Sequence, residues 1–138
     1  MNITIIDGQG GLLGAQLVRE ISASFPSSEI IAIGTNSLAT AAMLKAGAKR
    51  AATGENPVIV ACRSADVIIG PIGIVIADSL LGEITPKMAL AIGQSSAVRI
   101  LIPMNKCDNL VAGIGEATTG DLIDDAVLKL RRISDKNS

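Results

Sequence analysis

Residues 6–14 of this chain read IDGQGGLLG and form a turn rich in glycine directly after a short apolar run. Gly8, Gly10, Gly11 and Gly14 are four of these nine residues. The β-branched run at residues 3–6 predicts a strand, and the leucine-rich run after the turn predicts a helix. A strand that leads through such a turn into a helix begins a βαβ unit, so the turn makes a parallel sheet the expected framework.

The rest of the 138 residues repeats the same alternation of short β-branched runs and longer runs rich in alanine and leucine. Strands are predicted at residues 3–6, 30–33, 48–51, 67–69 and 98–102, with a candidate sixth strand at 111–114. Helices are predicted at residues 11–24, 38–46, about 54–62, 85–94 and 121–133, and a buried helix is favoured over a strand at 74–81. The pattern predicts an α/β fold, a three-layer, doubly wound and mostly parallel sheet of five to six strands, which is Rossmann-like. The length fits one nucleotide-binding domain over residues 1–133, followed by a frayed tail at 134–138.

Composition argues against several classes of function. The chain has 12 basic and 13 acidic residues, one Phe, and no Trp, Tyr or His. It therefore offers neither the basic face nor the aromatic platform typical of nucleic-acid binding, and it lacks the commonest general base and metal ligand. No apolar run approaches the roughly 18 residues of a membrane span, and the two cysteines stand alone. We expect a cytoplasmic protein that binds no nucleic acid, no membrane and no metal, unless Asp7 holds a Mg²⁺ ion.

The glycine turn has two interpretations. Ligands of parallel sheets bind at the carboxyl ends of strands, and bare backbone beside a helix N-terminus suits a phosphate. The spacing is a variant of G-x-G-x-x-G, because Leu13 occupies the place of the third glycine and Gly14 follows it. Alternatively, the glycines only allow a strand and a helix to pack closely. Asp7 is then a turn cap, whereas beside a phosphate it needs a ligand hydroxyl, a Mg²⁺ ion or Lys106 as its partner.

Polar segments that follow the other predicted strands are expected at the same edge of the sheet. Residues 34–37 read GTNS where NAD-binding folds carry an acidic residue, which mildly favours NADP over NAD and equally favours another phosphate-bearing ligand. Cys107 is either a nucleophile or a small apolar residue, and Glu55 and Glu83 are either acids or bases, or caps and surface residues. The sequence identifies no catalytic residue. The candidate ligand-binding residues are Asp7, Gly8, Gln9, Gly10, Gly11, Gly14, Thr35, Asn36, Gly70, Pro71, Ile72 and Lys106.

Six motifs cover nearly the whole chain: IDGQGG at 6–11, GTN at 34–36, ATGEN at 52–56, IGPIG at 69–73, LGEITPKM at 81–88 and NKC at 105–107. Together they resemble a family of small uncharacterised bacterial proteins, common in anaerobic Firmicutes, that is described only as a domain of unknown function. The resemblance implies a cytosolic, Rossmann-like protein, and it carries no assigned activity.

The preferred function is a module that binds a nucleotide or dinucleotide, NAD(P)-like, as a sensor or accessory subunit. The chain has no room for a substrate domain, and it lacks the His and Tyr that commonly relay protons. A small enzyme that acts on a phosphorylated or nucleotide substrate, and an interaction protein with a vestigial turn, are the alternatives. A homodimer is expected because residues 67–81 are apolar nearly all round, and a helix of that kind must be buried on every face.

Overall fold

The computed structural model describes residues 1–104 and 108–137. Its helices and strands alternate along the chain. They are β1 (Asn2–Asp7), α1 (Leu12–Ser24), β2 (Glu29–Gly34), α2 (Ser37–Lys45), β3 (Arg50–Thr53), α3 (Glu55–Cys62), β4 (Val67–Pro71), a 3₁₀ turn (Ile72–Val75), α4 (Pro86–Gln94), β5 (Val98–Ile102) and α5 (Thr119–Lys136).

The sheet is parallel throughout, with the strand order β3-β2-β1-β4-β5. One core packs side chains of α1 and α5 and Met43 of α2 against the sheet, and a second core packs α3 and α4 against the other face. The predicted three-layer, doubly wound α/β fold is therefore confirmed. The chain adds β2 and β3 on one side of β1, and then β4 and β5 on the other, so the strand order reverses between β1 and β4. The crevice at the carboxyl ends of these two strands is where folds of this type bind ligands.

The centre of the sheet explains why its strands read as continuous apolar runs. All five residues of β4 are buried, and so are five of the six residues of β1, because helices cover both faces. Two helices begin at residues whose side chains cap them. The Asn36 side chain accepts the N–H of Ala39 at the start of α2, and Thr85 accepts the N–H of Met88 at the start of α4, with Pro86 as its first residue.

The predicted buried helix at residues 74–81 is wrong. Ile76 is extended, and Asp78, Leu80 and Leu81 have φ angles of 66°, 55° and 56°, which no α-helix contains. The segment is apolar because β4 is a central strand and because Ile74 and Leu80 fill the core beneath α4. Its hydrophobicity therefore reflects burial within one chain, and the argument for a homodimer from an all-round apolar helix no longer applies.

The candidate strand at residues 111–114 is also wrong. Gly113 has a φ of +83°, Ile114 is 44% exposed, and the segment has no buried face that could pair with the sheet. The third strand begins at Arg50, two residues later than predicted, and α5 continues through residues 134–136, which the sequence assigned to a tail. No helix within residues 1–104 and 108–137 has the length and apolarity needed to cross a membrane.

Candidate functional site

Two glycines of the turn allow α1 to lie close to its neighbours. A Cβ atom on Gly11 would lie 2.7 Å from Cα of Ala39, and the φ of Gly11 is +73°. A Cβ atom on Gly14 would lie 2.6 Å from Sδ of Met43 and 2.8 Å from Cβ of Asp7. Close packing therefore explains glycine at both positions without any ligand.

Gly8 and Gly10 differ from each other. A Cβ atom on Gly8 would lie 2.6 Å from Oγ1 of Thr35 and 2.9 Å from Oε1 of Glu83, so this glycine also makes room for other parts of the protein. A Cβ atom on Gly10 would meet nothing within 4 Å. Gly10 is exposed and is the one glycine of the turn that faces open space.

Asp7 caps the helix that follows it. Its Oδ1 accepts the N–H of Gly8 at 2.8 Å, and its Oδ2 accepts the N–H of Gly14 at 2.7 Å. Gly14 is the third residue of α1, so its N–H is one of those that a helix leaves unpaired at its start. Burial raises the pKa of Asp7, against the effect of these two hydrogen bonds, and the nearby charge of Glu83 raises that pKa further. The side chain therefore has the geometry of the turn cap, and both of its oxygens are engaged.

Backbone donors remain at the mouth of the turn. The N–H of Gly11 donates to the carbonyl of Gly8 at 2.9 Å, and Asp7 takes the N–H of Gly14. The N–H groups of Gly10, Leu12 and Leu13 donate to no acceptor in the part of the chain that the structure describes. Unpaired donors at the start of a helix attract anions.

Glu83 brings a carboxylate to the same place from a distant part of the chain. Its Oε1 accepts the hydroxyl of Thr35 at 2.6 Å, the side-chain amide of Asn36 at 2.7 Å and the backbone N–H of Gln9 at 2.9 Å. Asn36 also donates to the carbonyl of Gln9 at 2.9 Å. These bonds join the ends of β1 and β2. The sequence showed no carboxylate at the end of the second strand, and in space Glu83 supplies one.

The other carboxylate oxygen of Glu83, Oε2, has a different setting. Oε2 accepts no hydrogen bond from the described residues, and none of their buried side-chain oxygens lacks a partner, so Oε2 is open to solvent. Partial burial raises the pKa of Glu83, but the hydrogen bonds from Thr35, Gln9 and Asn36 together outweigh it and hold that pKa below its ordinary value of 4.5. Glu83 is therefore ionised at neutral pH.

The ionised Glu83 gives a pH-dependent contribution to stability. Because its pKa is lower in the folded protein, this contribution is fully present above pH 4.5 and is lost as the pH falls through the folded-state pKa. We expect wild type to exceed Glu83→Gln in free energy of unfolding by about 1 kcal/mol or less at neutral pH, because the carboxylate is half-exposed. The difference should shrink below pH 4.5. Urea unfolding of both proteins across this range measures it.

Asp7 also makes the stability depend on pH, and its effect must be separated from that of Glu83. Its folded-state pKa is raised, so its contribution has the opposite sign: it is present below the ordinary value of 3.8 and is lost as the pH rises through the folded-state pKa. Both proteins contain Asp7, so its contribution largely cancels in their difference. A difference that grows on acidification would contradict the role assigned to Glu83.

Glu83 belongs to a segment that we call the strap, residues 76–84. The strap is anchored by Leu80 and Ile84, which are 2% and 0% exposed, and by the bond from the N–H of Asp78 to the carbonyl of Ile84 at 2.7 Å. Within residues 1–104 and 108–137, the non-glycine residues with positive φ all lie in the strap or in the glycine turn. They are Gln9, Asp78, Leu80 and Leu81. Such conformations are unfavourable, and they concentrate at ligand sites and switches.

The other predicted site residues lie in different settings. Gly70 and Pro71 are buried at the end of β4, where a Cβ atom on Gly70 would lie 2.3 Å from the carbonyl oxygen of Ile6. Ile72 opens the 3₁₀ turn and is half-buried. Lys106 and Cys107 lie outside the described residues.

Glu55 and Cys62 form no hydrogen bond with the glycine turn. Oε2 of Glu55, in the first turn of α3, accepts the hydroxyl of Thr85 at 2.6 Å, so Glu55 links α3 to the cap of α4. Cys62 is buried, and burial raises the pKa of its thiol. Within residues 1–104 and 108–137, no three Cys, Asp or Glu side chains are grouped so that they could hold a metal ion.

A cavity of about 480 Å³ lies at the opposite edge of the sheet, lined by residues such as Phe25, Ser28, Lys49 and Arg50. These residues surround the amino ends of β2 and β3, far from the glycine turn. Neither the unpaired N–H groups nor Glu83 contributes to it. We therefore place the candidate site at the carboxyl edge, where the chemistry is, and not in this cavity.

Comparisons with known proteins identify the family of this chain. No curated protein matches the chain. Among solved structures, the chain is similar to a crystal structure described as a dodecameric FMN-dependent Ubix-like decarboxylase from Escherichia coli O157:H7. The two share 14% sequence identity and a TM-score of 0.45, over 97% of this chain and 94% of the other, and at this level nothing is inferred about ligand or activity. A family model described as "Domain of unknown function (DUF3842)" matches residues 2–135, so the chain belongs to that family.

Proposed function

We propose that this member of the DUF3842 family binds a nucleotide or dinucleotide, of the NAD(P) type, through a phosphate at the Gly8–Gly14 turn. The observation that carries the proposal is that the N–H groups of Gly10, Leu12 and Leu13 have no acceptor among the described residues and lie beside the open space at Gly10. They lie at the carboxyl end of β1, next to the reversal of strand order, where doubly wound sheets bind ligands.

The open position at Gly10 also favours binding over a vestigial turn. Packing against the protein accounts for glycine at positions 8, 11 and 14, but it does not account for glycine at position 10. A phosphate held by backbone N–H groups does account for it, since a side chain there would stand in the ligand's path. Asp7 is compatible with a nearby phosphate, because its two oxygens already accept backbone N–H groups.

A direct test is to denature the purified protein and to analyse the released small molecules by mass spectrometry. Protein that releases nothing is then melted with a panel of nucleotides and dinucleotides. A ligand at 100 times its Kd stabilises the folded state by about 2.7 kcal/mol, which is easily seen as a higher Tm. A released nucleotide or a raised Tm supports the proposal. An empty protein whose Tm is unchanged by the whole panel supports an interaction protein instead.

The role is that of a sensor or accessory subunit, and a homodimer is the proposed assembly. Three leucines on segments around the site are strongly exposed: Leu12 is 76% exposed, Leu38 75% and Leu81 94%. Contiguous exposed apolar side chains are typical of a contact surface, and we propose that these three leucines form one.

We expect sedimentation at micromolar concentration to show a dimer that Leu81→Glu weakens at least about tenfold, since a charge is then buried at the contact. Leu128→Glu is the matched control, because Leu128 is 50% exposed on α5. A wild-type protein that sediments as a monomer contradicts the dimer.

A further inference from the structure

We propose that Glu83 is the residue that recognises the ribose of the ligand, and that it selects an unmodified 2′-hydroxyl against a 2′-phosphate. The inference rests on the proposed function and names its ligand class: dinucleotides of the NAD type, not of the NADP type. The residues GTNS at positions 34–37 mildly favour the opposite choice, NADP over NAD.

The carboxylate of Glu83 is held in a fixed orientation beside the phosphate donors. Three donors converge on Oε1 at 2.6–2.9 Å, and one of them is the backbone N–H of Gln9, the residue that precedes Gly10. Oε2 is left open to solvent and has no partner among the described residues. One oxygen therefore fixes the carboxylate and the other is available to a ligand.

The chemistry of an ionised carboxylate decides which ligand it takes. A carboxylate only accepts hydrogen bonds, and a ribose hydroxyl donates one to it as a strong, charge-assisted bond. A 2′-phosphate has mostly lost its last proton at neutral pH, and it carries charge of the same sign as the carboxylate. In NAD-binding folds an acidic residue about twenty residues after the glycine turn performs this task. Here the residue comes from the strap, 47 residues beyond Asn36, to which it bonds.

The donors that could have bound a 2′-phosphate are already engaged. The hydroxyl of Thr35 and the amide of Asn36 both donate to Glu83. Within the described residues, no Lys or Arg forms a hydrogen bond or an ion pair with Thr35, Asn36 or Glu83. The cluster therefore presents negative charge, not positive charge, to whatever lies at the end of β2.

The backbone that leads to Glu83 is left-handed at several residues. Asp78, Leu80 and Leu81 are left-handed, and Gly82, with a φ of +86°, directly precedes Glu83. Backbone of this kind persists where the surrounding structure enforces it, and ligand sites are where it concentrates. A role of Glu83 in ligand binding would account for this unfavourable backbone.

The test compares NAD⁺ with NADP⁺, which differ only by the 2′-phosphate, by isothermal titration of wild type and Glu83→Gln. Gln keeps the size of the side chain and an acceptor oxygen for two of the donors at Oε1, so we expect the fold to be kept, and circular dichroism checks this. Wild type should bind NAD⁺ at least about tenfold tighter than NADP⁺, which corresponds to one charge-assisted bond. In Glu83→Gln the ratio should fall to about threefold or less, because NAD⁺ binding weakens and NADP⁺ binding improves. Glu83→Ala should lower the ratio in the same way.

Glu55→Gln is the matched control, since Glu55 bonds to Thr85 and not to the turn, and it should leave the ratio unchanged. If Glu83→Gln binds both dinucleotides more tightly by the same factor, the carboxylate of Glu83 only occupies the phosphate position in the free protein. That result overturns the inference. An unchanged ratio, with binding that still depends on Gly10, overturns the inference and leaves the proposed function standing. If neither protein binds either dinucleotide or any other nucleotide, both are overturned.

Discussion

Gly11→Ala should destabilise the protein by about 2–5 kcal/mol, which is a large part of the 5–15 kcal/mol typical of a domain. Two costs add. The φ of +73° at Gly11 is unfavourable for alanine, by roughly 1–2 kcal/mol. The new methyl group would also lie 2.7 Å from Cα and 2.8 Å from the carbonyl oxygen of Ala39, and backbone atoms of α2 cannot move aside as the end of a long side chain can. Overpacking of this kind costs a further 1–3 kcal/mol or so. Thermal unfolding should show a Tm lower by roughly 10 °C.

The neighbouring residue provides the control. Gly10 has no positive φ, and a Cβ atom added there would have nothing within 4 Å, so Gly10→Ala should change the stability by no more than about 0.5 kcal/mol. Equal losses in the two variants would show that α1 and α2 do not approach each other as closely as the structure has them. The pair of variants thus distinguishes Gly11, which packing against α2 requires, from Gly10, which faces open space.

Much of the fold could be predicted because its signals are local. The β-branched runs fall on observed strands because parallel strands are buried on both faces. The Thr-Pro pair at residues 85–86 predicted the start of α4 because the hydroxyl of Thr85 and the ring of Pro86 each satisfy the helix N-terminus directly. The segment after β4 could not be predicted in this way. Its apolar residues fill a core whose shape depends on α4, and their order follows a left-handed backbone that has no local sequence signal except Gly82.

The sequence predicts only the part of the candidate site that directly follows the predicted strands. The glycine turn and the Thr35-Asn36 pair lie together at the carboxyl edge, joined through Gln9, as expected for parallel strands. For Glu83 the sequence predicts only an acid or base, or a cap or surface residue, because nothing in the residues around it shows that it reaches the end of β2. Contacts over 47 or 74 residues of chain depend on the path of the strap. A carboxylate that follows a glycine and precedes a helix cap looks the same whether it points to solvent or into a site.

The structure also bears on why a carboxylate ends β1 in front of a proposed phosphate. Asp7 uses both oxygens for the N–H groups of Gly8 and Gly14. In doing so it takes the N–H of Gly14, the third residue of α1, and it leaves the N–H groups of Gly10, Leu12 and Leu13 without an acceptor among the described residues. A bound phosphate would therefore lie further from α1 than it could if Asp7 did not cap the helix. Under the proposed binding mode, a phosphate at these donors would lie beside Gly10, so we expect a side chain at that position to weaken binding.

Gly10→Val should weaken binding of the ligand at least about 100-fold and leave the fold intact. Valine fits the free protein, since nothing lies within 4 Å of its Cβ atom and Gly10 has no positive φ. In the complex, the side chain would hold the phosphate away from the N–H groups of Gly10 and Leu12. Each hydrogen bond to a charged group is worth about 1.5–3 kcal/mol, so the loss of two exceeds the roughly 2.7 kcal/mol that corresponds to 100-fold. Titration of wild type, Gly10→Ala and Gly10→Val with the ligand identified by mass spectrometry should give a graded loss. Gly93→Val, at an equally open glycine near the end of α4, should bind as wild type does. Full affinity in Gly10→Val would mean that the ligand lies elsewhere and that the glycine turn only lets the strand and helices pack.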